Sequence, residues 1–115
     1  MTNTVSLCNL SELPRNGALG FDPFNEGRDT VFVVDTIHGP VAYRDLCPHY
    51  GSTSLPWRKN AYLNSAADKI ICAAHGAEFQ INTGVCVSGP CVGQSLTPVP
   101  IKIAEDGFIL ASIHQ

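Results

Sequence analysis

The sequence predicts an all-β domain, a sandwich or partly open barrel, and three observations carry that prediction. Short runs rich in β-branched and aromatic residues recur between turns built from Gly, Pro, Asn and Asp. No segment sustains the 3.6-residue apolar spacing of an amphipathic helix. Two short cysteine–histidine clips fall on loops next to strand-like runs, an arrangement that suits functional loops on a β scaffold.

The elements follow in order. Val5 to Leu10 alternates and reads as a first strand. Asn16-Gly17 and Asp22-Pro23 break the next stretch, leaving mostly loop with one further strand at Ala18 to Phe21. Thr30-Val31-Phe32-Val33-Val34-Asp35 is the densest strand signal. His38-Gly39 reads as a hairpin turn, which makes His38 a turn residue rather than a ligand, and Pro40 to Asp45 returns as the partner strand. Asp68 to Cys72 is a strand leading into the second clip. Glu78 to Ile81 and Val85 to Val87 flank Asn82-Thr83-Gly84, a hairpin with Gly where positive φ is needed. Val99 to Ile103 and Gly107 to Ala111 form a last hairpin around Ala104-Glu105-Asp106.

Length and composition bound the function. At 115 residues, 44% apolar and 15% charged, the chain is sized for one domain, 1–115, with its own core and no linker or repeat. A net charge of -3 with seven scattered Lys and Arg argues against nucleic-acid binding. No run approaches 18 apolar residues, and the first residues lack a basic region followed by an apolar stretch, so the expectation is a cytoplasmic protein without a membrane anchor. Five cysteines, an odd number, fit a secreted disulfide framework poorly. Cys8 reads as a small buried hydrophobe.

The chemistry lies in the clips. Cys47-Pro48-His49 is followed by Tyr50-Gly51, and Cys72-Ala73-Ala74-His75 by Gly76. Each clip offers one thiolate and one imidazole, and together they supply four ligands that suit zinc or an iron–sulfur centre. Zinc fingers usually pair Cys with Cys and His with His, whereas here each clip is mixed. C-x-H followed by C-x-x-H resembles the Rieske pattern, in which two Cys hold one iron of a [2Fe–2S] cluster and two His the other. A structural zinc module is the less favoured alternative.

Beyond the clips, the chain resembles the soluble Rieske-type ferredoxins over almost its full length. Gly39 to Leu46 matches the strand and turn before the first clip, Phe79 to Val87 the hairpin after the second, and Ser88-Gly89-Pro90 the proline loop over the cluster. The resemblance implies the Rieske fold: an antiparallel β sandwich base with a small cluster-binding subdomain, here about residues 45–90. It implies that Cys47 and Cys72 bind the inner iron and His49 and His75 the outer one. It implies a one-electron carrier rather than an enzyme. Its partners would be redox proteins, a flavin reductase supplying electrons and a terminal oxygenase or reductase accepting them. A small subunit of a larger reductase, of the nitrite-reductase kind, is the alternative.

Other residues bear on how the site is tuned. High-potential members of the family carry a further Cys in each clip loop and Ser and Tyr hydroxyls after the second clip. This chain has Gly51, Ala73, Ala77 and Phe79 at those positions, which implies the low end of the Rieske range, roughly -150 mV. Cys86 and Cys91 flank the proline loop and are expected as reduced thiols, with a disulfide as the alternative. The 22 residues between His49 and Cys72 exceed the usual ferredoxin spacing, the excess lying in Ser54 to Asn64. Trp57, beside Arg58 and Lys59, is either a docking feature or, as expected of lone aromatics, folds back with Tyr62 over the sheet.

Overall fold

A computed structural model describes residues 2–48, 53–74 and 76–114. The fold is all-β, as predicted. Nine strands are described: β1 (Thr2–Asn9), β2 (Ala18–Phe21), β3 (Val31–Thr36), β4 (Gly39–Arg44), β5 (Lys69–Ile71), β6 (Glu78–Gln80), β7 (Cys86–Ser88), β8 (Ile101–Ile103) and β9 (Phe108–His114). They form three three-stranded antiparallel sheets, ordered β1-β9-β8, β2-β3-β4 and β5-β6-β7.

Strand β3 explains how the sheets are layered. Val31, Phe32, Val33 and Val34 are all fully buried. Successive side chains on a strand point to opposite faces, so an unbroken apolar run belongs to a strand covered on both sides. Val31 and Val33 enter a core shared with Ala42, Ile109, Ala111 and Ile113. Phe32 and Val34 enter a second core with Tyr43, Leu55, Tyr62, Ile70, Phe79 and the four cysteines 47, 72, 86 and 91. The middle sheet is therefore the wall between a sandwich base and the second core, in which both clip cysteines lie.

The expected hairpins form. The β3–β4 turn places His38 on the surface and closes on Gly39 at φ +108, with Thr36 Oγ1 donating to Gly39 O at 2.6 Å. The β8–β9 turn closes with Gly107 N donating to Ala104 O at 2.9 Å. Between β6 and β7, Gly84 takes φ +75, and a Cβ there would lie 2.7 Å from the Tyr43 ring. Tyr43 also donates its hydroxyl to Ile81 O at 2.7 Å, which clamps this hairpin to the middle sheet.

Boundaries shift where local chemistry intervenes. The first strand ends at Asn9 rather than Leu10, because Asn9 caps a 3-10 turn over Leu10–Glu12 through a reciprocal capping box with Glu12. The eighth begins at Ile101 rather than Val99, after Pro98 and Pro100, neither of which has an N–H to donate to a ladder. The pairing of β1 with β9, with a register shift between Ser6 and Cys8, brings the two ends of the chain into one sheet. Cys8 is buried there, as expected of a small hydrophobe.

Candidate metal centre

Two strands deliver the two cysteines. Cys47 follows β4 and Cys72 follows β5, and both are fully buried. The second clip is a closed turn: Gly76 N donates to Cys72 O at 2.8 Å, and Cys72 N to Ala77 O at 2.9 Å. Gly76 sits at φ +71, so the glycine is required by the left-handed backbone that closes the turn. His49, Tyr50 and Gly51 of the first clip and His75 of the second lie outside the described residues.

A short segment ties the clips together. Cys47 N donates to Thr53 O at 2.7 Å, and Ala73 N to Leu55 O at 2.8 Å. Leu55 N in turn donates to Asp45 Oδ1 at 2.8 Å, and the Tyr62 hydroxyl donates to Asp45 Oδ2 at 2.7 Å. Asp45 is 1% exposed, so both carboxylate oxygens have a partner in a nearly dry site. Burial pushes the Asp45 carboxyl up, and its two hydrogen bonds pull it back toward the charged form. Tyr62 is held neutral far above the ordinary phenol range by burial and by the Asp45 carboxylate. Its ring stacks on Phe32, with centroids 4.1 Å apart and planes 8° from parallel. Sequence reasoning assigned no role to Asp45. The available signal was an acidic residue two positions before a buried cysteine at a strand end.

The loop after β7 covers the same region. Gly89, at φ +99, packs so closely that a Cβ would lie 2.8 Å from Ala77 Cα. Cys86 and Cys91 are free, buried thiols in this structure. Cys91 Sγ donates to Cys86 Sγ at 3.1 Å, and Cys86 Sγ to Ser88 O at 3.2 Å. Cys91 also lies beside Cys47. Burial first, then these two sulfur neighbours, pushes the Cys91 thiol up to about 12. Thus a third cysteine touches one of the clip cysteines.

Among the described residues, no three His, Cys, Asp or Glu side chains converge on one metal position. What the described residues contribute is a pair of buried sulfur donors on hydrogen-bonded loops, surrounded by Leu55, Tyr62, Ala77 and Phe79. Soft thiolates in a largely apolar pocket fit an iron–sulfur cluster.

Fold and site together define the class, an all-β iron–sulfur domain. More particularly, the chain belongs to the Rieske [2Fe-2S] domain family, whose model matches residues 3–106. It therefore binds a [2Fe–2S] cluster, and the zinc alternative gives way to that cofactor. The chain is 31% identical to the cytochrome b6-f complex iron-sulfur subunit of Chlorobaculum tepidum, over 98% of its own length and 55% of that protein, so it spans about half of this curated relative. Among solved structures it resembles the ferredoxin of carbazole 1,9a-dioxygenase from Nocardioides aromaticivorans (TM-score 0.69, 21% identity, 97% of this chain and 99% of that one). It also resembles a putative NADH-dependent nitrite reductase small subunit from Mycobacterium tuberculosis (TM-score 0.68, 14% identity, 100% and 98%). At these identities the structural likeness is one of fold. The domain is thus a Rieske [2Fe–2S] domain, with a fold that it shares with ferredoxins. No helix among the described residues is long and apolar enough to cross a membrane.

Proposed function

We propose that this protein is a low-potential one-electron carrier of the cytoplasm, taking electrons from a flavin reductase and passing them to a terminal oxygenase. Cys47 and Cys72 would hold one iron of the cluster, and His49 and His75 the other. The cluster supplies a site that gains and loses a single electron. The chain's own residues keep water from the sulfur side, fix the two clips through Asp45 and Leu55, and set the potential.

The observation that carries this reading is that, among the described residues, those that follow the second clip bring no hydroxyl. Ala77 and Phe79, in the stretch after the second clip, are fully buried and bring no side-chain donor. The two buried tyrosine hydroxyls of this core are already committed, Tyr43 to Ile81 O and Tyr62 to Asp45. Fewer hydroxyl donors at these two positions leave the reduced, more negative state less stabilised, which lowers the potential.

Likeness to the cytochrome b6-f subunit supports a second reading, in which the chain is the cluster domain of a cytochrome-complex protein. Likeness to the nitrite reductase subunit supports a third, a small subunit of a larger reductase. The potential separates the first two. Anaerobically purified protein should be brown, hold two irons and two sulfides per chain, and titrate near the low end of the Rieske range by protein-film voltammetry. A potential well above 0 mV would favour the cytochrome-complex reading. Co-purification with a large reductase would favour the third.

A further inference from the structure

Residues 53–60 belong to the stretch that makes the spacing between the clips unusually long, and the structure shows how it is held. Lys59 Nζ donates to Gly20 O at 3.0 Å and bonds both Asp29 oxygens, at 2.9 and 2.8 Å. Asn60, at φ +68, accepts from Gly20 N at 2.8 Å. At its other end, Leu55 is bonded to Asp45 and to Ala73. A loop fastened at both ends could fold its aromatics inward. Tyr62 does so and is fully buried, but Trp57 is 72% exposed, which corrects the expectation that both cover the sheet.

One exposed apolar residue is ordinary on a protein surface. This one has additional features. The Arg58 guanidinium lies 4.9 Å from the Trp57 ring centroid, a cation–π contact that orients both side chains. Trp57, Arg58 and Lys59 border a shallow concavity of about 380 Å³ together with Arg28. Three of the seven basic residues thus gather around one recess on a chain of net charge -3. Asp29 and Lys59 neutralise each other, and Asp45 is buried beneath, which leaves Arg28 and Arg58 to carry the positive charge of the recess. Trp57 is two residues beyond Leu55, within about 7 Å of chain from a residue bonded to the second clip.

We propose that Trp57 and Arg58, backed by Arg28 and held in place by the Lys59–Asp29 pair, form the docking surface for an acidic redox-protein partner that exchanges electrons with this domain. The proposal rests on the electron-carrier reading above and adds which face is used and what the partner presents: carboxylates around an apolar recess that takes the indole. Trp and Arg are the residue types that most often dominate interface energy, and a pinned loop loses little freedom on docking. A basic patch on an otherwise acidic surface attracts such a partner at this face and repels it elsewhere, which orients the encounter.

The test uses the cluster-loaded full chain and a reduced plant-type [2Fe–2S] ferredoxin of acidic sequence as the probe. One electron moves from the probe to the oxidised cluster, downhill in potential, with no bond made or broken. Stopped-flow rates are compared for parent, Trp57→Ala, Trp57→Phe and Arg58→Glu. The expected results are a parent rate that falls with salt, a drop of about tenfold or more for Trp57→Ala and Arg58→Glu, and partial recovery in Trp57→Phe. The methyl viologen radical cation, a small reductant with no need of the patch, should reduce the parent and Trp57→Ala at matching rates. Parent-like rates with the ferredoxin in both variants, or a parent rate that rises with salt, would overturn the docking surface. Absence of a reducible cluster in the parent would instead overturn the electron-carrier reading on which it rests.

Discussion

Replacing Tyr62 with Phe removes one oxygen from the middle of the candidate site and leaves nearly everything else in place. The lost group is the hydroxyl that donates to Asp45 Oδ2 at 2.7 Å. The ring's stack on Phe32 survives, so the roughly 0.5–1.5 kcal/mol of aromatic pairing is retained. What changes is a carboxylate 1% exposed that, among the described residues, keeps only the Leu55 N–H as hydrogen-bond partner. Hydrogen bonds to charged groups contribute about 1.5–3 kcal/mol, so a loss of about 2 kcal/mol is expected. In a domain of this size that lowers Tm by roughly 8 °C. The effect extends to the site, because Asp45 holds Leu55, and Leu55 holds Ala73 of the second clip. Bleaching of the visible absorbance in urea should therefore come earlier in Tyr62→Phe. Cofactor binding makes simple two-state treatment unsafe, so midpoints by circular dichroism and by absorbance are compared side by side. The decisive measurement is a double-mutant cycle with Asp45→Asn. A coupling of about 0.5–3 kcal/mol is expected of groups in direct contact. Additive single effects, or a parent-like midpoint in Tyr62→Phe, would refute the idea that this hydrogen bond braces the clips.

Three further outcomes are expected. Ala77→Ser with Phe79→Tyr should raise the potential by adding buried donors near Cys72, and an unchanged potential in protein-film voltammetry would refute that account. The close packing of Gly89 on Ala77 makes the serine the tighter of the two substitutions. Cys91→Ala removes the buried thiol beside Cys47 and should lower the potential, while Cys91→Ser should stay nearer the parent; equal shifts in both would show that a polar hydrogen at this position has no part in tuning. Tyr43 and Tyr62 are both pushed above the ordinary phenol pKa by burial. The unfolded chain then loses these protons first, so their stabilisation is complete below about pH 10 and declines as pH rises toward the folded values, by up to about 1.4 kcal/mol per unit per group. Urea midpoints at about pH 8 and about pH 11 measure the decline, and Tyr43→Phe should make it shallower.

The strands and hairpins were legible because their signals are local. The run Val31 to Val34 announces a strand buried on both faces, and Gly39, Gly84 and Gly107 mark turns that close on positive φ. Which strands meet was less legible. Nothing in Thr2 to Asn9 names Phe108 to His114 as its partner, since that pairing is fixed by the shared core of Ile109, Ala111 and Ile113 rather than by either sequence alone. The clip cysteines were legible for a similar reason as the hairpins: a short spacing followed by Gly implies a closed turn, and Cys72 to Gly76 forms one. What surrounds them was not. Leu55 and Tyr62 lie ten and seventeen residues from the Asp45 carboxylate they share, and only folding brings them into one hydrogen-bonded brace. The opposite fates of Trp57 and Tyr62 show the same limit. Both are lone aromatics in one irregular stretch, and propensity treats them alike. Tyr62 goes inward because a buried carboxylate gives its hydroxyl a partner. Trp57 stays outward because Lys59 and Asn60 pin the loop to Gly20 and fix the direction in which the preceding residues face. An indole turned to solvent by a brace built from its neighbours is held there by the fold, and the long spacer between the clips is what provides the brace.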